Sequence, residues 1–327
     1  MPANRASIDP VTIELINAPP DFEVEPETPH RPSNHFSFSR LAMWMRCSLQ
    51  YKFRYVDNLI ARPALALSNG RAGHTAVEYN AQHKVKTGLD RPLPELLDLF
   101  SDSYDAEVSE LEPTDLKDGE SIGETKDATV STLTLFHRKV APTITPHRVE
   151  QEFRLVIEPT EEHDFPIEPI VGRIDSIQSR PEDDHPLAIA HTETIDHKFR
   201  RQRGHPEEAD YSDQLTLYDM VSTRAGIQTK NLGFLTFLPP TTRQPPRVEA
   251  TLRSPILLTP KVREARHDRL LYKIRTVARA IKNGTFVPTD DPKTCSWCGY
   301  REMCQYSLVR DDYTAMQIRQ HSGEPTP

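Results

Sequence analysis

The sequence predicts an α/β domain in which helices cover a central β-sheet. Apolar or alternating segments typical of strands occur at residues 147–158, 170–177, 195–199, 232–238 and 248–252. Helical segments precede and separate these strands. After the last strand, an apolar stripe predicts a long amphipathic helix, carried by Leu270, Ile274, Val277 and Ile281. Strands and helices that follow one another in this way are typical of an α/β fold.

The composition is that of a globular protein. With 327 residues, 36% of them hydrophobic and 27% charged, the chain can form one large domain or two small ones. No segment approaches the ~18 consecutive apolar residues of a membrane-spanning helix. The N-terminus lacks the apolar run of a signal peptide. We therefore expect a cytoplasmic protein with no membrane partner.

Both ends of the chain differ in composition from the middle. Residues 1–34 are rich in Pro, Glu and Asp and show no sustained period, which predicts a disordered tail, and residues 311–327 are interpreted in the same way. Residues 35–310 are expected to form a single domain. Within it, residues 90–145 are helical in pattern but poorly amphipathic, which indicates a helical insertion beside the core.

The net charge excludes one class of DNA-binding protein. At −8, it argues against a protein that coats duplex DNA by bulk electrostatics. Two local stretches are nevertheless basic, residues 198–203 and residues 261–282. Either stretch could line a nucleic-acid groove, and a solvated surface explains each of them equally well.

The most informative stretch is a predicted hairpin that contains GRID at residues 172–175 and IDHK at residues 195–198. Residues two apart in a strand point to the same face, so Asp196 and Lys198 project together, and Asp175 can lie beside them from the neighbouring strand. Two carboxylates and an ammonium group are costly to desolvate unless an ion or an anionic substrate completes the charge balance. The pattern suits a divalent metal that meets a phosphate, with a surface salt bridge as the alternative.

These two motifs, followed by Gln214-x-x-x-Tyr218, resemble the RecB-like branch of the PD-(D/E)XK nuclease superfamily over roughly residues 36–306. The resemblance implies a restriction-endonuclease-like core, with a mixed central sheet flanked by helices. It also implies a Mg²⁺- or Mn²⁺-dependent DNA exonuclease. Such an enzyme would act on DNA ends or single strands in recombination, repair, phage replication or CRISPR adaptation.

The resemblance assigns metal ligands residue by residue. Asp175 and Asp196 would bind the ion together with the backbone carbonyl of His197. His74 would be a further ligand from an early helix, although a lone His in Gly-x-x-x-His is more often a surface or core residue. On the strand at residues 147–158, either glutamate of one face could approach the metal, and Glu152 is favoured over Glu150. A solvated strand face is the alternative for both.

Three further residues receive catalytic roles from the same resemblance. Lys198 would orient or deprotonate the attacking water and offset charge that develops on the phosphate. Gln214 and Tyr218 are one helical turn apart and share a face, and they would hold the lysine and the DNA backbone.

The four cysteines form a pattern of their own. Cys295, Cys298 and Cys304 make a Cys-x2-Cys-x5-Cys motif, and Cys47 lies far upstream. Four thiolates can hold zinc or an iron–sulfur cluster, and spacing by itself does not decide between them. The arrangement resembles the [4Fe–4S] site of CRISPR-associated and phage-encoded RecB-like exonucleases and of the AddB nuclease domain, although Ser48 stands where that family usually has Pro. The resemblance therefore implies an iron–sulfur staple that holds the first helix against the C-terminus.

Two other functions fit the same residues. One is a DNA-end-binding adaptor with secondary or no nuclease activity, and the other is a zinc-stapled nucleic-acid-binding module. In every case DNA is the expected partner, and a helicase, a recombinase or a CRISPR-adaptation protein is a candidate protein partner.

Overall fold

A computed structural model describes residues 11–16 and 35–309, with gaps at residues 60, 62–63, 110, 113–115, 117–118, 161–164, 181–191, 228 and 255–257. Within these ranges the strands are β1 Val11–Ile16, β2 Thr145–Ile157, β3 Ile170–Ser179, β4 Thr192–Phe199, β5 Thr229–Leu238 and β6 Arg247–Arg253. The helices are α1 Phe38–Arg46, α2 Ser48–Tyr55, α3 Leu65–Thr87, α4 Leu93–Val108, α5 Ile122–Leu135, α6 Glu208–Tyr211, α7 Asp213–Arg224, α8 Pro260–Lys282 and α9 Pro292–Ser296. Of the helices in these ranges, none is long and apolar enough to cross a bilayer.

The described strands form one sheet in the order β1-β2-β3-β4-β5-β6. Neighbouring strands run antiparallel except β4 and β5, which are parallel. A parallel pair needs a crossover connection, and α6 and α7 provide it between β4 and β5. The predicted mixed sheet flanked by helices is therefore confirmed.

Helices cover both faces of the sheet. On one face α1, α7 and α8 enclose a core that includes Leu41, Leu215 and Ile274. On the other face α3, α4 and α5 enclose a second core that includes Ala76, Phe100 and Leu133. Helices α4 and α5 lie within the segment 90–145 that was predicted as a helical insertion. Because β4 is covered on both sides, its alternate residues face different helices, α7 on one side and α3 on the other.

The predicted tail at residues 1–34 needs a correction, because residues 11–16 form strand β1 at the edge of the sheet. The segment Val-Thr-Ile-Glu-Leu-Ile alternates apolar and polar residues, and β1 pairs with β2 from Val11–Ile157 to Ile16–Glu152. The Pro- and Glu-rich residues on either side made this short alternation of apolar and polar residues hard to recognise in the sequence. The rest of that tail and residues 311–327 lie outside the described residues.

Local features explain where two helices begin and what they tolerate. Helix α1 begins at Phe38, because the Ser37 hydroxyl accepts a hydrogen bond from the Arg40 amide at 3.3 Å. Helix α3 begins at Leu65 and contains Gly70 and Gly73 in its interior. An interior glycine is tolerated in a helix, but it often has a packing reason.

Gly73 is required because α3 crosses closely over the end of β4. A Cβ atom at Gly73 would lie 2.4 Å from the Phe199 ring, whereas the space around Gly70 is open. We expect Gly73→Ala to lower the free energy of unfolding by roughly 1–3 kcal/mol through overpacking. Gly70→Ala, in the same helix, is the matched control and should raise it by up to about 1 kcal/mol, because alanine is the better helix former. Urea titrations measure both values, and equal stability of the two variants would contradict the close contact.

Candidate active site

The candidate site lies where β3 and β4 separate. The two strands pair as far as Ser176 and Ile195. Beyond that point the Asp175 carboxylate takes the place of a strand partner, since its Oδ2 accepts a hydrogen bond from the His197 amide at 2.7 Å. The separation opens a fork between the two strands, and Asp175 lies in this fork beside β4. We call this point the fork.

One face of β4 carries a closed polar network. Lys198 Nζ lies 2.6 Å from Asp196 Oδ2 and donates to Gln214 Oε1 at 3.1 Å. Gln214 Nε2 donates to Asp196 Oδ1 at 2.5 Å and to the Tyr218 hydroxyl at 3.1 Å. That hydroxyl donates to the Arg173 carbonyl at 2.9 Å. The structure thus brings four of the predicted site residues into contact.

The start of α7 determines which of its residues reach this network. Helices α6 and α7 are separated at Ser212, whose hydroxyl accepts a hydrogen bond from the Leu215 amide at 3.1 Å. This cap begins α7 at Asp213. As a result Gln214 and Tyr218, one turn apart, face β4.

On the other face of β4, two imidazoles lie beside Asp175. His74, Asp175 and His197 each offer one ligand atom, and these atoms lie within 4.8 Å of one another. His74 Nδ1 lies 3.5 Å from Asp175 Oδ2. Burial lowers the pKa of His197 to about 3, so this imidazole is neutral and can act as a ligand. The sequence predicted only the backbone carbonyl of His197 here, whereas the structure also places its side chain beside Asp175.

The two aspartates are held in an environment that disfavours their charge. Burial raises the pKa of Asp175, an effect that the nearby His74 partly offsets. Burial and the charge on Asp175 raise the pKa of Asp196, while Lys198 lowers it. A bound cation would stabilise both ionised carboxylates. Carboxylate oxygens beside neutral imidazoles are a donor set that divalent metals accept.

The choice of Glu152 over Glu150 is not supported by the geometry. Glu152 Oε1 accepts a hydrogen bond from Arg173 Nε at 2.9 Å, so this carboxylate is already paired with a cation. The β2–β3 register pairs Val149 with Ser176 and Gln151 with Ile174, the residues that flank Glu150 and Asp175, and the backbone of Glu150 is at φ 49°. Burial, followed by the charges on Asp175 and Glu78, raises the pKa of Glu150 to about 8.

Glu78 is a member of this acidic group that the sequence analysis missed. It lies on α3 one turn after His74, and burial followed by the charge on Asp175 raises its pKa, with Arg173 and His74 acting in the opposite direction. The spacing His74-x-x-x-Glu78 puts both side chains on one helix face. This spacing is the signal that could have identified Glu78.

The raised pKa of Glu150 predicts a pH-dependent stability. Its ordinary pKa is 4.5, and in the fold it is about 8, so the folded protein retains a proton that the unfolded chain has already released. Metal-free protein should therefore lose stability as the pH rises from about 4.5 through about 8. Glu150→Gln should reduce this loss and be more stable than wild type at pH 8.5, with little difference near pH 4.

Denaturant titrations in EDTA at the two pH values measure this effect. Glu95→Gln is the control, because Glu95 is exposed and pairs with Arg91 on the surface of α4, and its substitution should leave the pH profile parallel to that of wild type. A Glu150→Gln profile parallel to that of wild type would contradict the prediction.

The two basic stretches differ in their position relative to the site. On α8, Lys273 Nζ lies 2.5 Å from Asp213 Oδ2 and Arg266 donates to the Asp210 carbonyl at 3.0 Å. These contacts pack α8 against the crossover helices. The stretch at residues 198–203 begins at Lys198 and therefore lies beside the fork.

The four cysteines line one cavity, although they come from distant parts of the sequence. Cys47 lies in the extended break between α1 and α2, and Cys295 lies in α9. Burial raises the pKa of the Cys298 thiol. The cavity therefore joins the first two helices to the C-terminal segment.

Hydrogen bonds hold the same two segments together. The Ser48 hydroxyl accepts from the Val287 amide at 2.6 Å and donates to the Val287 carbonyl at 3.0 Å. The Tyr300 hydroxyl donates to the Leu59 carbonyl at 2.8 Å. These contacts fix the position of the cysteine cavity from both sides.

Comparisons with known proteins identify the family of this arrangement. The model of the PD-(D/E)XK nuclease superfamily matches residues 35–305. The matched range includes the fork, α7 and all four cysteines. No curated protein matches the sequence.

Proposed function

The chain belongs to the PD-(D/E)XK nuclease superfamily, and from this membership we propose that it is a metal-dependent DNA exonuclease, which hydrolyses phosphodiester bonds at DNA ends or in single strands. The observation that carries the proposal is the convergence of Asp175, Asp196 and Lys198 at the fork. A structural salt bridge would account for Asp196 and Lys198. It would not account for the partly buried Asp175 and the two imidazoles beside it.

The residues of the fork fit a divalent cation. Nε2 of the buried His197 has no hydrogen-bond partner among the described residues, and the pKa values of Asp175 and Asp196 are raised by burial. We propose that these two aspartates and His74 hold Mg²⁺ or Mn²⁺, with His197 contributing its backbone carbonyl or its imidazole. A bound ion of this kind polarises the scissile phosphate and lowers the pKa of the attacking water.

The protein side chains supply positioning and charge. Lys198 places an ammonium group where negative charge develops on the phosphate in the transition state. Gln214 contacts both Lys198 and Asp196, so it fixes the distance between the ammonium group and the carboxylate. Tyr218 anchors Gln214 to the backbone of β3. This network keeps the lysine in one position before the substrate arrives.

A comparison of linear and circular DNA tests the exonuclease proposal. The substrates are a single-stranded oligonucleotide labelled at its 5′ end, the same strand labelled at its 3′ end, and a circular single strand. We expect Mg²⁺- or Mn²⁺-dependent loss of the linear strands and survival of the circle. Cleavage of the circle at the rate of the linear strands would contradict exonuclease action and would instead identify the protein as an endonuclease.

We propose further that the cysteine cavity holds a [4Fe–4S] cluster. Among the described residues, no three of the cysteine sulfurs lie within 4.8 Å of one another. Four thiolates around one zinc ion, at a Zn–S distance of about 2.3 Å, would be about 3.8 Å apart. In a [4Fe–4S] cube each thiolate binds a different iron, which suits the wider spacing. A bound cluster contributes its binding free energy to folding.

Anaerobically purified protein should be brown and should contain about four iron and four labile sulfide per chain. Exposure to oxygen should bleach it. Cys47→Ser should reduce the soluble yield before it alters the chemistry of the fork, because the cluster joins two ends of the domain. Metal and sulfide analysis checks the prediction, and stoichiometric zinc without sulfide would contradict it.

A further inference from the structure

A second cavity opens beside the fork, between α5 and the carboxyl ends of β4 and β5. We call it the α5 cleft, and its walls come from residues 65–69, 119–132, 199–201 and 237–242. Its volume is about 630 Å³. Pockets that enclose small ligands measure roughly 300–1,000 Å³, so the α5 cleft has room for a nucleotide but not for a duplex.

One aromatic ring contacts both the α5 cleft and the fork. Phe199 directly follows Lys198, and the centre of its ring lies 5.6 Å from that of His74. Phe199 also lines the cleft, whereas Phe237, on which its ring stacks at 4.3 Å, is almost fully buried at 1% exposure. A group bound against Phe199 is therefore next to the metal-binding face of the fork.

Two arginines stand on the β4 side of the cleft. Arg200 is held in place by Glu208, to which it donates two hydrogen bonds at 2.6 and 2.7 Å. Arg201 is 71% exposed, with Glu120 as an ion-pair partner at 4.0 Å. Guanidinium groups at this position are suited to the phosphates of a passing strand.

The α5 side of the cleft has a different chemistry. Thr129 donates a hydrogen bond to Asn69 Oδ1 at 2.8 Å, which orients the Asn69 amide on the cleft wall. Glu124 also lines this side and is exposed. Amide, hydroxyl and carboxylate groups can pair with the polar edge of a base, whereas the carboxylates repel a phosphate.

We infer that the α5 cleft binds one unpaired nucleotide of the DNA strand that is being cut, an inference that rests on the proposed nuclease function. The base lies between Phe199 and α5, and the phosphate faces Arg200 and Arg201. Aromatic contacts combined with a basic edge are the usual means of binding single strands without sequence preference. A base that is stacked and paired inside a duplex cannot enter, so the enzyme acts on single strands or frayed ends.

Filling the cleft tests the inference. Ala128 lines the cleft from α5, so Ala128→Phe occupies the space of the base. Ser131→Phe is the matched control, because Ser131 lies on the same helix and is exposed outside the cleft. The probes are a single-stranded oligonucleotide and bis(p-nitrophenyl) phosphate, which contains the phosphodiester but no base. We expect Ala128→Phe to raise KM for the oligonucleotide at least ~10-fold and KM for the small diester by much less. Ser131→Phe should leave both values at those of wild type.

Arg201→Ala gives a second test that folding does not confound, because the side chain is mostly exposed. It should weaken oligonucleotide binding, measured by fluorescence anisotropy with Ca²⁺ in place of Mg²⁺. The slope of log K against log salt should fall by about 0.7, the value for one phosphate contact on a single strand.

The outcomes separate this inference from the proposed function. If wild type cleaves both probes and Ala128→Phe behaves like Ser131→Phe on the oligonucleotide, the cleft does not bind the strand and the inference is overturned while the nuclease function stands. If wild type cleaves neither probe, the proposed function fails. Anisotropy then still decides the inference, because equal oligonucleotide affinity of the two phenylalanine variants would overturn it.

Discussion

Lys198→Ala should cleave DNA ~10²–10³ times more slowly than wild type, a loss of roughly 3–4 kcal/mol of transition-state stabilisation. The ammonium group lies 2.6 Å from Asp196 and on the side of the fork that faces α7. Its charge interacts more strongly with the transition state than with the bound substrate. Single-turnover cleavage should therefore slow, while affinity for metal and for DNA changes little.

Lys126→Ala is the control for this substitution. Lys126 also follows an acidic residue by two positions, but it pairs with Asp105 on the surface, at 2.7 Å, far from the fork in sequence. It should cleave at the wild-type rate. If Lys198→Ala cleaves at that same rate, the lysine has no role in the reaction and the assignment of the site is wrong.

Asp175→Asn should abolish cleavage and metal binding together. The amide oxygen can still accept the hydrogen bond from the His197 amide, so the fork keeps its shape while it loses one negative charge. Changing a residue that contacts a metal ligand, but not the metal itself, typically lowers metal affinity roughly 10–100-fold. The loss of Mn²⁺ affinity in Asp175→Asn should be larger than this. Isothermal titration with Mn²⁺ measures it.

The stability of the same variant distinguishes this result from unfolding. Burial raises the pKa of Asp175, and the charge on Asp175 raises that of Asp196, so removing one charge should leave metal-free protein at least as stable as wild type. Asp105→Asn, a change at an exposed carboxylate, is the control and should bind Mn²⁺ like wild type. Wild-type Mn²⁺ affinity in Asp175→Asn would contradict the proposed metal site.

The central hairpin and α7 could be predicted because their residues follow strong local periods. Strand alternation alone places Asp196 and Lys198 on one face, and one helical turn places Gln214 and Tyr218 together. The structure joins these pairs by direct hydrogen bonds. Each of these contacts depends on spacing within one element and on the pairing of neighbouring elements.

The acidic group around Asp175 could not be predicted in the same way. Glu78 reaches it because Gly73 lets α3 approach β4, and Glu150 reaches it because β2 pairs with β3 in one register. Both contacts depend on how separate elements pack, which no local period encodes. The choice between Glu150 and Glu152 depends on Arg173, which lies on the neighbouring strand and pairs with Glu152.

The most direct test of the central claim is digestion of a 5′-labelled single strand by wild-type protein and by Asp175→Asn from parallel anaerobic preparations, each with Mn²⁺ and with EDTA. We expect labelled products from wild type with Mn²⁺ and from none of the other three reactions. Because both proteins are purified in the same way, a contaminating nuclease would appear in both. Equal digestion by the two proteins, or no digestion by wild type with either Mn²⁺ or Mg²⁺, would contradict the claim that the fork hydrolyses DNA.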